Sequence, residues 1–214
     1  DDAKAAILGK MTAAMQQGAD TILIISDGLP QVTKPPNPAA MQEYQTRMAE
    51  WRNANAGAIA AVSLVPGANP DERFARIRDF YSACAGRPLE LDEQVYRSEK
   101  ATGNRNRAIA YMLTSFGVLD DDPDEVLDVY FRQCSLRVDS VDLARMAATL
   151  AGGGANPQTG RRVMDAKVVQ RTLSVMVTCG MYNGAGDWVS AVGMPAKSGV
   201  GGGILAVLPG QLGI

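Results

Sequence analysis

No histidine occurs anywhere in this chain, so proton transfer would fall to lysine, tyrosine, aspartate, glutamate or cysteine. Ser-His-Asp and Cys-His catalysis, HExxH zinc sites and any His-ligated metal are thereby excluded. Cys84, Cys134 and Cys179 stand far apart in no metal-ligand spacing, and their odd number favours reduced, buried thiols. Other polar residues have ordinary explanations as well as chemical ones. Glu99, with Arg97 before it and Lys100 after it, reads by default as a solvated helix charge. Asn106, flanked by Arg105 and Arg107, reads as a surface amide. Tyr130 has helical spacing to Val126 and Cys134 and suits a core position as well as a ligand contact. Tyr182 and Asn183 follow a helix stop, where an asparagine usually serves a turn, and the glycines Gly201 to Gly203 fit a flexible bend.

Helical signals dominate the elements that must position these groups. Residues 3–17 are rich in Ala, Met and Gln and end before Gly18. Asp20 to Ser26 is short, apolar and β-branched, as in a buried strand. Gln31 to Pro38 is a proline-rich loop, from which Asn37-Pro38 starts a helix running to about Arg52. Asn69-Pro70 caps a helix that ends at Gly86, with Phe74, Ile77, Phe80, Tyr81 and Cys84 as its apolar stripe. Asn104 to Phe116 forms another, with Ile109, Met112, Leu113 and Phe116 on one side. Asp122-Pro123 opens the next, turning Val126, Leu127, Tyr130 and Cys134 inward. Ser140 is read as the cap of a helix ending at Gly152, and Asp165 as the cap of one ending at Gly180. Trp188 to Val192 and Gly202 to Leu208 read as strands, and Pro209-Gly210 as the turn of a hairpin. Met112, Met146 and Met176 are assigned to apolar packing faces. The expected class is α+β: a mostly helical body with an incomplete antiparallel sheet.

Composition narrows the partners. The chain has 214 residues, 46% apolar and 21% charged, with a net charge of −2 and no basic block. These values fit a globular protein and favour neither nucleic acid nor membrane as partner. The runs Ala56 to Val65 and Gly201 to Leu208 are too short to cross a bilayer.

Four segments, in order, resemble the serine-dependent glutaminases of the β-lactamase/penicillin-binding-protein-like fold. They are Asn55-Ala-Gly-Ala-Ile59, the run YRSEKATGNRNR from Tyr96 to Arg107, DVYFRQCS from Asp128 to Ser135, and KSGVGGG from Lys197 to Gly203. Thr178-Cys-Gly-Met-Tyr182 fits between the last two. The resemblance implies hydrolysis of L-glutamine to L-glutamate and ammonia through an acyl-serine intermediate, without cofactor or metal, in a homo-oligomer. It also implies that Asn55, Glu99, Asn106, Tyr130, Tyr182 and Val200 line the glutamine pocket. A glutamine zwitterion carries an ammonium suited to Glu99 and a carboxylate suited to amide and hydroxyl donors. Such charge-assisted bonds contribute about 1.5–3 kcal/mol each.

The catalytic group implied by the resemblance comprises Tyr182 as proton carrier, Lys197 as neighbouring cation, and the Val200 backbone N–H as oxyanion donor. A preorganised N–H of that kind contributes about 3–4 kcal/mol to transition-state stabilisation. The family's nucleophile motif, Ser-x-x-Lys, is absent: no serine or threonine has a lysine three positions later. Residues 1–52 therefore read as an atypical helix-strand-loop-helix segment joined near Trp51 to Asn55 to a glutaminase-like domain, 53–214, truncated at both ends. Gly18 to Pro30 resembles the strand and Asp-Gly loop of a von Willebrand factor A domain, where the equivalent of Asp27 helps hold a metal. The companion Asp-x-Ser-x-Ser loop does not occur. The expectation is impaired turnover, with a non-catalytic amino-acid-binding or helical interaction module, a chimera or fragment, as the alternative. Without a visible leader the expected location is cytoplasmic.

Overall fold

The computed structural model describes residues 55–199 and 202–214. The helix read at 3–17, the strand Asp20 to Ser26, the loop and helix that follow, Asp27 and Val200 all lie outside the described residues.

Helix α1 covers residues 55–63. In α2, Pro70–Ala85, the Asn69 side chain accepts from the Glu72 N–H and Pro70 supplies a helical φ at a position that needs no donor. Gly86, at φ 73°, ends it. Helix α3, Glu93–Thr102, is capped by Asp92, and α4 runs over Asn104–Ser115. Helix α5, Pro123–Cys134, begins at Asp122, whose side chain accepts from Asp124 N–H. Helix α6 is Ser140–Ala151, but its cap is Asp139 rather than Ser140. Asp139 and Asp142 exchange side-chain and backbone bonds in a capping box, and two carboxylates outcompete one hydroxyl for those N–H groups. Helix α7, Ala166–Cys179, leads through a 3₁₀ turn, Tyr182–Gly184, into α8, Ala185–Val192.

The strand expected at Trp188 to Val192 is thus the second half of a helix. Short apolar runs carry no period of their own, and Gly193 decides the matter by closing α8 at φ 74° with its N–H on the Val189 carbonyl. The Trp188 indole Nε1–H donates to the Met194 carbonyl at 2.8 Å, locking the turn beyond.

Three antiparallel strands finish the described chain: β1, Ala196–Ser198; β2, Ile204–Leu208; and β3, Leu212–Gly213, in that order across the sheet. Ala196 faces Ala206 and Val207 faces Gly213. The hairpin expected around Pro209-Gly210 is present. Helix α6 covers β2 and β3, and Gly213 permits the close approach, since a Cβ there would strike the backbone of Ala147 and Ala148.

The core centres on α5, which touches α2, α3 and α4 and buries Val126, Leu127, Val129, Tyr130, Phe131 and Gln133. Met146 and Met176 are buried as expected. Met112 and Phe116 are not: they are 55% and 72% exposed. Helix α4 buries only Asn106, Ile109 and Ala110, so the expected stripe runs past the edge of what α5 covers. Cys84 is buried, and burial pushes its thiol up to about 12. Cys134 and Cys179 are only half-buried, and none of the three cysteines forms a disulfide. The buried Asp142 carboxylate accepts from Arg87 Nε at 2.8 Å and Nη2 at 2.5 Å. Burial alone would raise its pKa, but Arg87 and the Asp139 N–H hold it below the usual range.

Candidate active site

Two pairs of the expected site residues meet. In the first, Asn55 in α1 donates from Nδ2 to Oδ1 of Asn106 in the first turn of α4, at 2.9 Å. Both amides are 2% exposed, although Asn106 lies between arginines and would pass alone for a surface residue. Burying two amides is costly unless they are paired, and each retains further capacity to bond beyond this contact. Tyr130, expected either in the core or on a ligand, is 1% exposed on α5, with its ring edge-on to Phe131 at 5.9 Å between centroids.

Glu99 is half-buried on α3. It is not the solvated helix charge of the default reading: burial pushes its carboxyl above the usual range. A carboxylate in that condition favours a cation beside it. Gly103 brings the end of α3 close to the body, since a Cβ there would collide with the Phe131 ring and the Glu99 carbonyl.

The second pair joins the 3₁₀ turn to β1. Lys197 Nζ donates to the Tyr182 hydroxyl at 3.2 Å and lies 4.4 Å from the centre of the ring. The same ammonium reaches the Ser198 carbonyl. An ammonium at that distance stabilises negative charge on the phenol oxygen. Tyr182 has φ 54°, the one positive φ among the described non-glycine residues. A tyrosine there costs about 1–3 kcal/mol and persists only where its surroundings fix it, as is common at functional sites. Its place after a helix stop suggested an ordinary turn; the backbone is strained instead. Gly180 permits the approach of α7 to β1, for a Cβ there would meet the Ala196 carbonyl.

One set of residues was not singled out from the sequence. Asp128 accepts from Tyr96 Oη at 2.5 Å, Lys100 Nζ at 2.5 Å and Arg132 Nη2 at 2.7 Å. Arg132 also reaches Asp71 at 2.5 Å and lies over the rings of Phe74 and Tyr96. The signal was present as spacing: Tyr96 with Lys100, and Asp128 with Arg132, are each four apart and share a helix face. A cavity of about 620 Å³ opens beside this network, lined by Asp71, Lys100, Arg107, Asp128, Phe131 and Arg132 among others. None of the expected pocket residues lines it. Its central charges, Asp128, Lys100 and Arg132, are already paired with one another. Among the described residues no group of Cys, Asp or Glu could hold a metal ion, and no helix is long and apolar enough to cross a membrane.

The sequence matches the family described as Glutaminase over residues 33–214, a stretch that begins within the segment set apart above. A glutaminase of Microcystis aeruginosa is 54% identical over 160 residues, 75% of this chain and 47% of that protein. Glutaminase 2 of Bradyrhizobium diazoefficiens is 58% identical over 160 residues, 75% of this chain and 26% of the relative. The chain thus spans about half the length of the first and about a quarter of the second. Among solved structures, probable glutaminase ybaS superimposes with a TM-score of 0.74 at 38% identity, covering 98% of this chain and 68% of that one. A structure of Mglu in its glutamate form gives 0.73 at 35% identity, covering 98% and 48%. The helical body with its small antiparallel sheet is therefore of the β-lactamase/penicillin-binding-protein-like class. By sequence and by fold alike, the chain belongs to the glutaminase family.

Proposed function

We propose that this protein acts as a glutaminase, hydrolysing the side-chain amide of L-glutamine to L-glutamate and ammonia. We infer that the described residues supply its amino-acid pocket. The observation that carries this reading is the bond between Asn55 and Asn106. These amides are 51 positions apart, were both expected in the pocket, and are buried together at 2.9 Å. Glu99 would take the ligand ammonium. Asn55, Asn106 and the tyrosines Tyr130 and Tyr182 would take its carboxylate and side-chain polar groups. Tyr182 would carry the proton between nucleophile and leaving amine, with Lys197 stabilising charge on its oxygen. Val200 would donate its N–H to the oxyanion. The glutamate form of Mglu, related to this chain in sequence and fold, supports the same ligand class. Three cysteines outside any disulfide suit a reducing compartment such as the cytoplasm.

A second reading, motivated by the lack of Ser-x-x-Lys within these 214 residues, is that the pocket binds its amino acid without turning it over. Ammonia release from L-glutamine, measured beside calorimetric titration with L-glutamate, separates the two. Turnover supports the enzyme, and glutamate binding without turnover supports the binding module. A chain that does neither overturns both.

A further inference from the structure

Helix α3 carries Glu99, yet it buries no residue completely, and only Tyr96 and Glu99 along its inner side are half-buried near the core. Its first turn is tied down by backbone and cap: Asp92 N–H donates to the Ser135 carbonyl at 2.8 Å, and Arg137 reaches the Asp92 carboxylate at 3.1 Å. Those ties do not reach Glu99. Beyond them, side-chain hydrogen bonds join the helix to the body, beside the partly buried Tyr96 ring and the close approach of Gly103 to Phe131. Arg107 donates to the Lys100 carbonyl at 2.5 Å, and Tyr96 and Lys100, either side of Glu99, both end on Asp128 of α5. Helix α5, in contrast, is fixed by six buried side chains. Asp128 is mostly buried, so its carboxylate is poorly screened, and with three donors converging on it the bonds are the charge-assisted kind.

We propose that Asp128 is a positioning residue for Glu99: it clamps the outer half of α3 to the rigid α5 and so sets the distance from Glu99 to Tyr130 and Asn106. This rests on the pocket reading above for its functional consequence, but the clamp itself does not. A carboxylate is required because three donors face it. An amide in its place would turn its own N–H₂ towards at least one of them. The helix would then keep its N-terminal ties and swing at the Glu99 end, without any change in the apolar core.

The test uses the full chain with Asp128→Asn, and Tyr96→Phe as a second variant that removes one hydroxyl and no packing. Hydrogen exchange at the amides of residues 97–102 is expected to speed up about tenfold in Asp128→Asn, less in Tyr96→Phe, and to stay unchanged in α5 and α6. L-glutamate affinity is expected to fall about tenfold in Asp128→Asn. In a Glu99→Gln background the same substitution should cost little more, because the group it positions is already gone. Unchanged exchange in α3, or equal acceleration throughout the molecule, overturns the clamp. Faster exchange with unaltered glutamate affinity, or additive losses in the double variant, overturns the positioning role. Failure of the unsubstituted chain to bind glutamate overturns the pocket reading instead, and the exchange data still decide the clamp.

Discussion

Helices α3 and α5 lie side by side, and each carries one expected pocket residue, but they are held by different forces. Helix α5 sinks Val126, Leu127, Val129, Tyr130, Phe131 and Gln133 into the centre of the molecule. Helix α3 buries nothing completely and hangs on ion pairs and caps. Apolar burial is non-directional and cooperative with the whole core, whereas a charge-assisted bond fixes one point in one direction. The proposed pocket would thus draw one wall from the apolar core and another from a helix held mainly by polar contacts. In the comparison of the two helices lie the measurements that matter.

The largest effect is expected on the apolar side. Phe131→Ala removes a ring that is 1% exposed and lies against Tyr130 and Gly103, and urea denaturation should show a loss of about 3–5 kcal/mol. A loss below 1 kcal/mol would mean that α5 is not the anchor described here. The buried amide pair should rank next. Asn106→Ala leaves Asn55 Nδ2 without its acceptor, costing about 1–3 kcal/mol by the same assay and abolishing glutamate binding. Glu99→Gln should do least to stability and in the opposite direction. The folded-state pKa of Glu99 is raised, so the group contributes nothing below its unfolded pKa. Stability then falls as pH rises through the folded value and stays lower above it. Glu99→Gln should accordingly raise the thermal midpoint at pH 7, leave it unchanged at pH 3, and weaken glutamate binding. A lower midpoint at pH 7 would show that the carboxylate is already stabilised by a partner.

Legibility in the sequence followed the same division. Helix α5 could be read outright from Asp122-Pro123 and its apolar spacing, and α2 from Asn69-Pro70 and Gly86, because caps and burial are local or periodic signals. Helix α3 has no apolar stripe, so periodicity could not delimit it, and only its specific run of residues drew notice. Helix α8 differs from the strand expected there because DWVSAV is too short to show a period, and the terminator Gly193 is the informative residue. Exposure of Met112 and Phe116 depends on where α5 ends, which no spacing within α4 contains. The candidate site is suggested only by family motifs. A bond spanning 51 residues, or the meeting of a 3₁₀ turn with a strand 15 residues later, leaves no local trace. The strain at Tyr182 left none either, since a positive φ at tyrosine is set by its neighbours in space.

The sulfur of Cys84 gives the molecule an internal gauge. Its thiol, 1% exposed and pushed up to about 12, offers almost no thiolate at neutral pH, while its carbonyl receives Thr149 of the neighbouring α6 and Asn156. Alkylating reagents will find Cys134 and Cys179 first. Modification of Cys84 must wait until α2 parts from α6, so the rate at which that one sulfur is labelled counts the openings of the interior itself.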